Sequence, residues 1–137
     1  MPRQRIVYLK QSSAPDRRAL QEAVDRLGFD LQLDHGFSLL NAKGYQPCTL
    51  DGEDAGFDLR SASTPAAPPA GVAGLLGDRD AALTLRWAGD PREELAALAV
   101  CVALAENFGA LVHDPDTDAV SSAEALLAAA RKANAAR

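Results

Sequence analysis

Charged residues are absent from positions 95–105, and the stretch is bracketed by helix signals at both ends. Asp90 is placed to cap the free amides of a first turn, Pro91 occupies a position where its missing N–H is harmless, and Glu93 completes a capping box. Gly109 suits the left-handed residue that ends many helices. A helix over 91–107 is therefore predicted, and because it is apolar on every side it must be buried by the rest of the chain.

The other elements follow from the two periodicities. Arg5-Ile6-Val7-Tyr8-Leu9-Lys10 reads as a first strand. Leu20, Ala23, Val24 and Leu27 fall on one face of a helix that starts near Asp16 and stops at Gly28. Phe29, Leu31 and Leu33 alternate with polar residues in a half-buried strand. Residues 45–60 read as a hairpin with a six-residue acidic tip around Asp51-Gly52-Glu53-Asp54, with Pro47 marking an edge or bulge. Leu83, Leu85 and Trp87 alternate with Thr84 and Arg86 in another strand. Ala110-Leu111-Val112-His113 is a short one, followed by a turn over 114–118. Ser121 and Glu124 suggest a second capping box before a surface helix that frays after Lys132.

Strands in neighbouring runs with three helices predict an α+β fold: a mostly antiparallel sheet of about five or six strands, with the 91–107 helix largely buried. The 137 residues are expected to form one domain. Within it, residues 61–77 make a long Pro/Gly/Ala-rich loop, mobile or functional, whose second half Val72, Leu75 and Leu76 could pin by a short helical turn.

Composition narrows the function. The apolar fraction of 47% and charged fraction of 24% are those of a soluble globular chain. A net charge of −5 argues against nucleic acid and permits a basic protein partner. The basic opening lacks the apolar region of a signal peptide, and no apolar run spans a bilayer; a cytoplasmic protein without a membrane partner is expected.

No residue set points to catalysis. Asp114, Asp116 and Asp118 resemble the start of a calcium loop, but Ala119 and Ala125 stand where that loop needs glycine and glutamate. His35 and His113 could pair with Cys48 or an aspartate as nucleophile and base, yet no local signature accompanies them. No glycine-rich loop has cofactor-binding spacing, so no catalytic, cofactor or metal residue is assigned. The exposed acids Asp51, Glu53 and Asp54 form a candidate contact surface for a basic partner, with Trp87 as an anchor if it is exposed.

Two pieces carry a resemblance: Pro47-Cys48-Thr49-Leu50-Asp51-Gly52-Glu53-Asp54-Ala55-Gly56-Phe57, and Gly77-Asp78-Arg79-Asp80 with Thr84, Arg86-Trp87 and Gly89-Asp90 leading through the alanine-rich helix to Ala110-Leu111-Val112-His113-Asp114. Together they resemble a group of small, uncharacterised bacterial α+β proteins, some of them similar to immunity proteins encoded beside secreted toxins. The resemblance implies a non-enzymatic protein that binds and occludes a toxin-like partner. Two alternatives stand beside it: a small enzyme or ligand-binding domain with a pocket between the central helix and the 61–77 loop, and a structural homodimer.

Overall fold

A computed structural model describes residues 3–137 of the chain. It contains nine strands and four helices: β1 (Arg3–Leu9), α1 (Arg17–Asp25), β2 (Leu31–Leu33), β3 (Lys43–Gln46), β4 (Cys48–Leu50), β5 (Glu53–Asp54), β6 (Phe57–Ser63), α2 (Ala70–Ala73), β7 (Ala81–Trp87), α3 (Pro91–Asn107), β8 (Leu111–Asp114), β9 (Ala119–Ser121) and α4 (Ala123–Ala136). The class is α+β. A six-stranded antiparallel sheet runs β3-β6-β7-β1-β8-β9, and a three-stranded one runs β2-β4-β5.

The predicted central helix is present over Pro91–Asn107, and ten consecutive residues, 95–104, are buried. It packs against α4, α1, the large sheet and β4 of the small one. Asp90 caps it through the Arg92 amide. Glu93 reaches past Asp90 to accept from the Ala88 amide at 3.2 Å, so the predicted capping box is opened by two residues. Many of the α3 core positions are alanine, and α4 meets α3 through buried Ala130 and Ala133, small side chains that let two helix backbones approach closely.

Four expectations need correction. The single sheet becomes two, because the predicted hairpin over 45–60 is interrupted: β3 pairs with β6, from Lys43 opposite Arg60 to Gln46 opposite Phe57, while residues 48–54 leave the large sheet as β4 and β5. Pro47 is where the chain departs, having no amide to continue a ladder; its carbonyl accepts instead from Asp34, beside the β2–β4 pairing. The 61–77 stretch holds a fourth helix, α2, with Val72 and Leu76 buried and Leu75 55% exposed. Ser122, rather than Ser121, caps α4, because residues 119–121 are used by β9. Helix α4 also continues beyond Lys132 to Ala136.

The large sheet has two unlike faces. On the inner one Val7, Leu59, Leu83, Leu85 and Val112 are buried toward α3. The outer face is divided. One half carries Tyr8, Ala82, Ile6, Leu111 and Val120, and α2 lies over it through Val72 and Leu76. The other half carries Lys43, Tyr45, Asp58, Arg60 and Arg86, outside that cover.

Candidate functional site

The acidic tip exists because β4 and β5 are joined by two residues only. Thr49 pairs with Asp54 and Leu50 with Glu53, leaving Asp51 (φ 52°) and Gly52 (φ 83°) to make the turn. Positive φ at both central positions matches the twist of a tight hairpin, and Asp-Gly tolerates it well. The tip is thus shorter than the six residues expected, and Asp51, Glu53 and Asp54 are all exposed on it.

None of the three carboxylates stands alone. Asp51 pairs with Arg137 from the end of α4, and Glu53 pairs with Arg92 in the first turn of α3. Asp54 accepts from the Tyr45 hydroxyl at 2.6 Å and from the Gly56 amide at 3.3 Å. The tyrosine bond holds the Asp54 carboxyl below its ordinary range, and the same bond pushes the Tyr45 phenol up to about 12. Arg92 also reaches Asp90 at 3.4 Å. The Arg92 amide bonded to Asp90 lowers the pKa of that carboxyl, and Asp90 and Glu93 sit favourably at the positive end of the helix dipole.

The result is a rim on which Asp51, Glu53, Asp54, Asp90 and Glu93 outnumber the guanidiniums of Arg92 and Arg137. A groove of about 560 Å³ runs along it, lined by Glu53, Asp90, Pro91, Arg92, Asn134 and Arg137 among others. Trp87 does not join this surface. It is 3% exposed, with the Arg5 guanidinium 5.9 Å from its ring centroid, and its indole N–H is buried with no partner among the described residues.

Three of the four residues named from sequence therefore meet at one place, and the fourth forms the core beside it. Asp90 and Glu93 were visible only as helix-start residues. Arg137 lies 86 positions from Asp51, and no local pattern could have joined them.

Of the candidate nucleophiles and bases, Cys48, Cys101 and His113 are buried and His35 is open. Burial pushes the thiols of Cys48 and Cys101 up to about 12, the wrong direction for a reactive cysteine. His35 is exposed and lines a groove of about 280 Å³ with Asp34, Cys48 and Asp54. His113 is 1% exposed; its Nε2 lies 2.7 Å from Asp118 Oδ1, and its Nδ1 is buried without a partner among the described residues. An imidazole oriented by a carboxylate has the form of a general base, but this one has no open face toward a substrate.

What the pair does is mechanical. Asp118 (φ 52°) also accepts from the Gly71 amide at 3.1 Å through both carboxylate oxygens, tying the β8–β9 turn to α2. The His113 bond, helped by Gly71, lowers the Asp118 pKa. A depressed folded pKa stabilises the native state above the ordinary aspartate range, and that contribution is lost as pH falls through the folded pKa. Protection of residues 70–77 against hydrogen exchange, taken relative to the intrinsic rate at each pH, is expected to fall below about pH 4 in the wild type and to lose that pH step in Asp118→Asn. An identical step in the variant would assign the acid sensitivity elsewhere.

Among the described residues no three His, Cys, Asp or Glu side chains gather as a metal-binding group, and no helix is long and apolar enough to cross a membrane. No protein-family model, curated protein or solved structure matches this chain.

Proposed function

We propose that this chain is a non-enzymatic, immunity-like binding protein of the bacterial cytoplasm that occludes a basic protein partner through the rim formed by Asp51, Glu53 and Asp54. The observation that carries the reading is the convergence of the β4–β5 tip with the first turn of α3: Asp51, Asp54 and Glu93 stand beside an open groove in which Glu53 and Asp90 face Arg92 and Arg137, an excess of carboxylates over guanidiniums across the rim as a whole. Arg92, Arg137 and Tyr45 hold those carboxylates in place, so little side-chain freedom is lost when a partner's lysine or arginine displaces or joins them. Clustered charge of one sign speeds encounter and rejects partners of the same sign. The thiols are buried and protonated and His113 is enclosed, which leaves His35 as the one open group among the candidates drawn from the sequence.

The test is a growth-rescue experiment joined to kinetics. A basic toxin domain captured from the producing cell should be neutralised by co-expression of the wild-type protein. The Asp51→Lys/Glu53→Lys/Asp54→Lys variant should associate about tenfold more slowly, with a flatter salt dependence. Its thermal midpoint should fall only as far as the strain of a lysine at the left-handed position 51 dictates, about 1 kcal/mol, since the pairs it breaks are exposed. Undiminished rescue and an unchanged on-rate in the triple variant would remove the rim from the interface.

A further inference from the structure

We propose that the outer edge of the large sheet at β3, with Lys43, Tyr45 and Arg86, docks an extended acidic segment of another protein, which adds as a strand beside β3. This surface differs in sign from the acidic rim and borders it at Tyr45 and Glu93, but it makes no use of Asp51 or Glu53.

The register places the charges. Lys43 is directly opposite Arg60, and Tyr45, Asp58 and Arg86 form the adjoining row across β3, β6 and β7. Alternation along each strand puts all five side chains on the outer face. Like charges facing each other across a strand pair are unfavourable, so Lys43 opposite Arg60 works against the fold. Asp58 offsets part of this, holding Arg60 through two bonds of 3.1 and 3.4 Å. Lys43 and Arg86 have no ion-pair partner among the described residues, in a protein whose overall charge is −5. The cations on this half of the sheet are thus surplus to internal pairing.

The same place has a rigid aromatic and a hollow. Tyr45 is 55% exposed although its hydroxyl is clamped by Asp54. It lies so close over Gly56 that a Cβ there would come within 2.2 Å of the phenol oxygen, which fixes the ring against the sheet. An exposed aromatic already held in one position loses little entropy on binding. Beside it a cleft of about 350 Å³ is lined by Tyr45, Asp58, Arg60, Arg86, Trp87 and Glu93.

The chemistry selects the occupant. β3 ends the sheet order, with β6 its one strand neighbour, and Lys43, Gly44 and Tyr45 make no backbone bond outside that pairing among the described residues. An unpaired edge accepts an added strand through its main chain, and alternate side chains of that strand set specificity. Carboxylates at alternate positions would fall beside Lys43, while Arg86, on β7 with β3 and β6 between, adds only longer-range attraction. Single-stranded nucleic acid is less suited, since it calls for several stacking aromatics and this face exposes one. A second copy would bring two sets of these cations together.

The probe is a fluorescein-labelled peptide of roughly ten residues alternating glutamate and valine, with a lysine–valine peptide and a single-stranded oligothymidylate as comparisons. Polarisation should show saturable binding of the acidic peptide to the full chain. Lys43→Gln/Arg86→Gln should weaken it about tenfold, and Asp51→Lys/Glu53→Lys should leave it in place. Amide shifts in the bound state should centre on Lys43, Gly44 and Tyr45. Absence of binding at about 1 mM peptide overturns the proposal. So does equal affinity for the basic peptide, or preference for the oligothymidylate with the same sensitivity to the Lys43/Arg86 variant. A dimer in sedimentation that buries β3 assigns the edge to a second copy and overturns it too. Loss of rim binding in the Asp51/Glu53 variant alone would leave this surface untouched, so the two readings fail separately.

Discussion

Leu98→Ala is expected to lower the free energy of unfolding by about 2–5 kcal/mol, toward the upper end of that range. Leu98 is 1% exposed, in the middle of the ten-residue buried run of α3. The loss has two parts: transfer of the missing side-chain atoms, and a hole that the surroundings must either fill or keep. Filling is difficult here. Moving α3 toward the hole would pull it away from α4, α1, β4 or the large sheet, since it touches all of them. Two of the three buried α4 residues, Ala130 and Ala133, are too short to swing inward, which leaves Leu126 as the one buried long side chain on that helix. Because a domain of this size is stable by only about 5–15 kcal/mol, one such change removes a large share. Denaturant unfolding followed by the fluorescence of Trp87, the one tryptophan, measures it directly. Leu75→Ala, at a 55% exposed position, should change stability by less than about 0.5 kcal/mol. A Leu98→Ala loss below about 1 kcal/mol would mean that α3 is not the rod around which the chain is packed.

That rod was legible because every local signal agreed on it: a cap, an early proline, an uncharged centre and a terminal glycine at φ 70°. The β7 alternation and the α1 face were legible for the same reason. What could not be read was which strand meets which. Pro47 signalled an interruption, but not that residues 48–54 would leave for a second sheet pairing with β2. Nor could local pattern show that Gln21 is buried on α1 to serve β2, accepting from the Leu33 amide at 2.7 Å and donating to the Leu31 carbonyl at 2.8 Å.

The site was partly legible in the same sense. Asp51, Glu53 and Asp54 declare themselves as acidic turn residues, and they are exposed. Their partners Arg137, Arg92 and Tyr45 come from three other elements, so the rim is a property of tertiary structure. The cationic half of the outer face is harder still, since Lys43, Arg60 and Arg86 become neighbours only through strand register.

The covering of the other half by α2 gives the second large expected effect. Gly71→Val should destabilise the protein by about 3 kcal/mol. A Cβ at Gly71 would lie 1.9 Å from the carbonyl oxygen of Asp118 and 2.7 Å from its carbonyl carbon. Both are backbone atoms of a turn that His113 holds, so neither can swing aside as a flexible side chain would. Relief requires lifting α2, which breaks the two bonds from the Gly71 amide and uncovers Val72, Leu76 and Tyr8, now 0%, 7% and 1% exposed. Gly74→Ala is the matched control: the residue has an ordinary helical φ of −75° and nothing within 4 Å of a Cβ, so its effect should stay within about 0.5 kcal/mol. Hydrogen exchange separates a local lift from global loss. In Gly71→Val, residues 70–77 should exchange faster than α3, whereas a uniformly weakened protein would accelerate both together. If the two glycine variants unfold at the same denaturant concentration, α2 does not press on the β8–β9 turn, and the Pro/Gly-rich stretch is a free loop rather than the cover of the sheet.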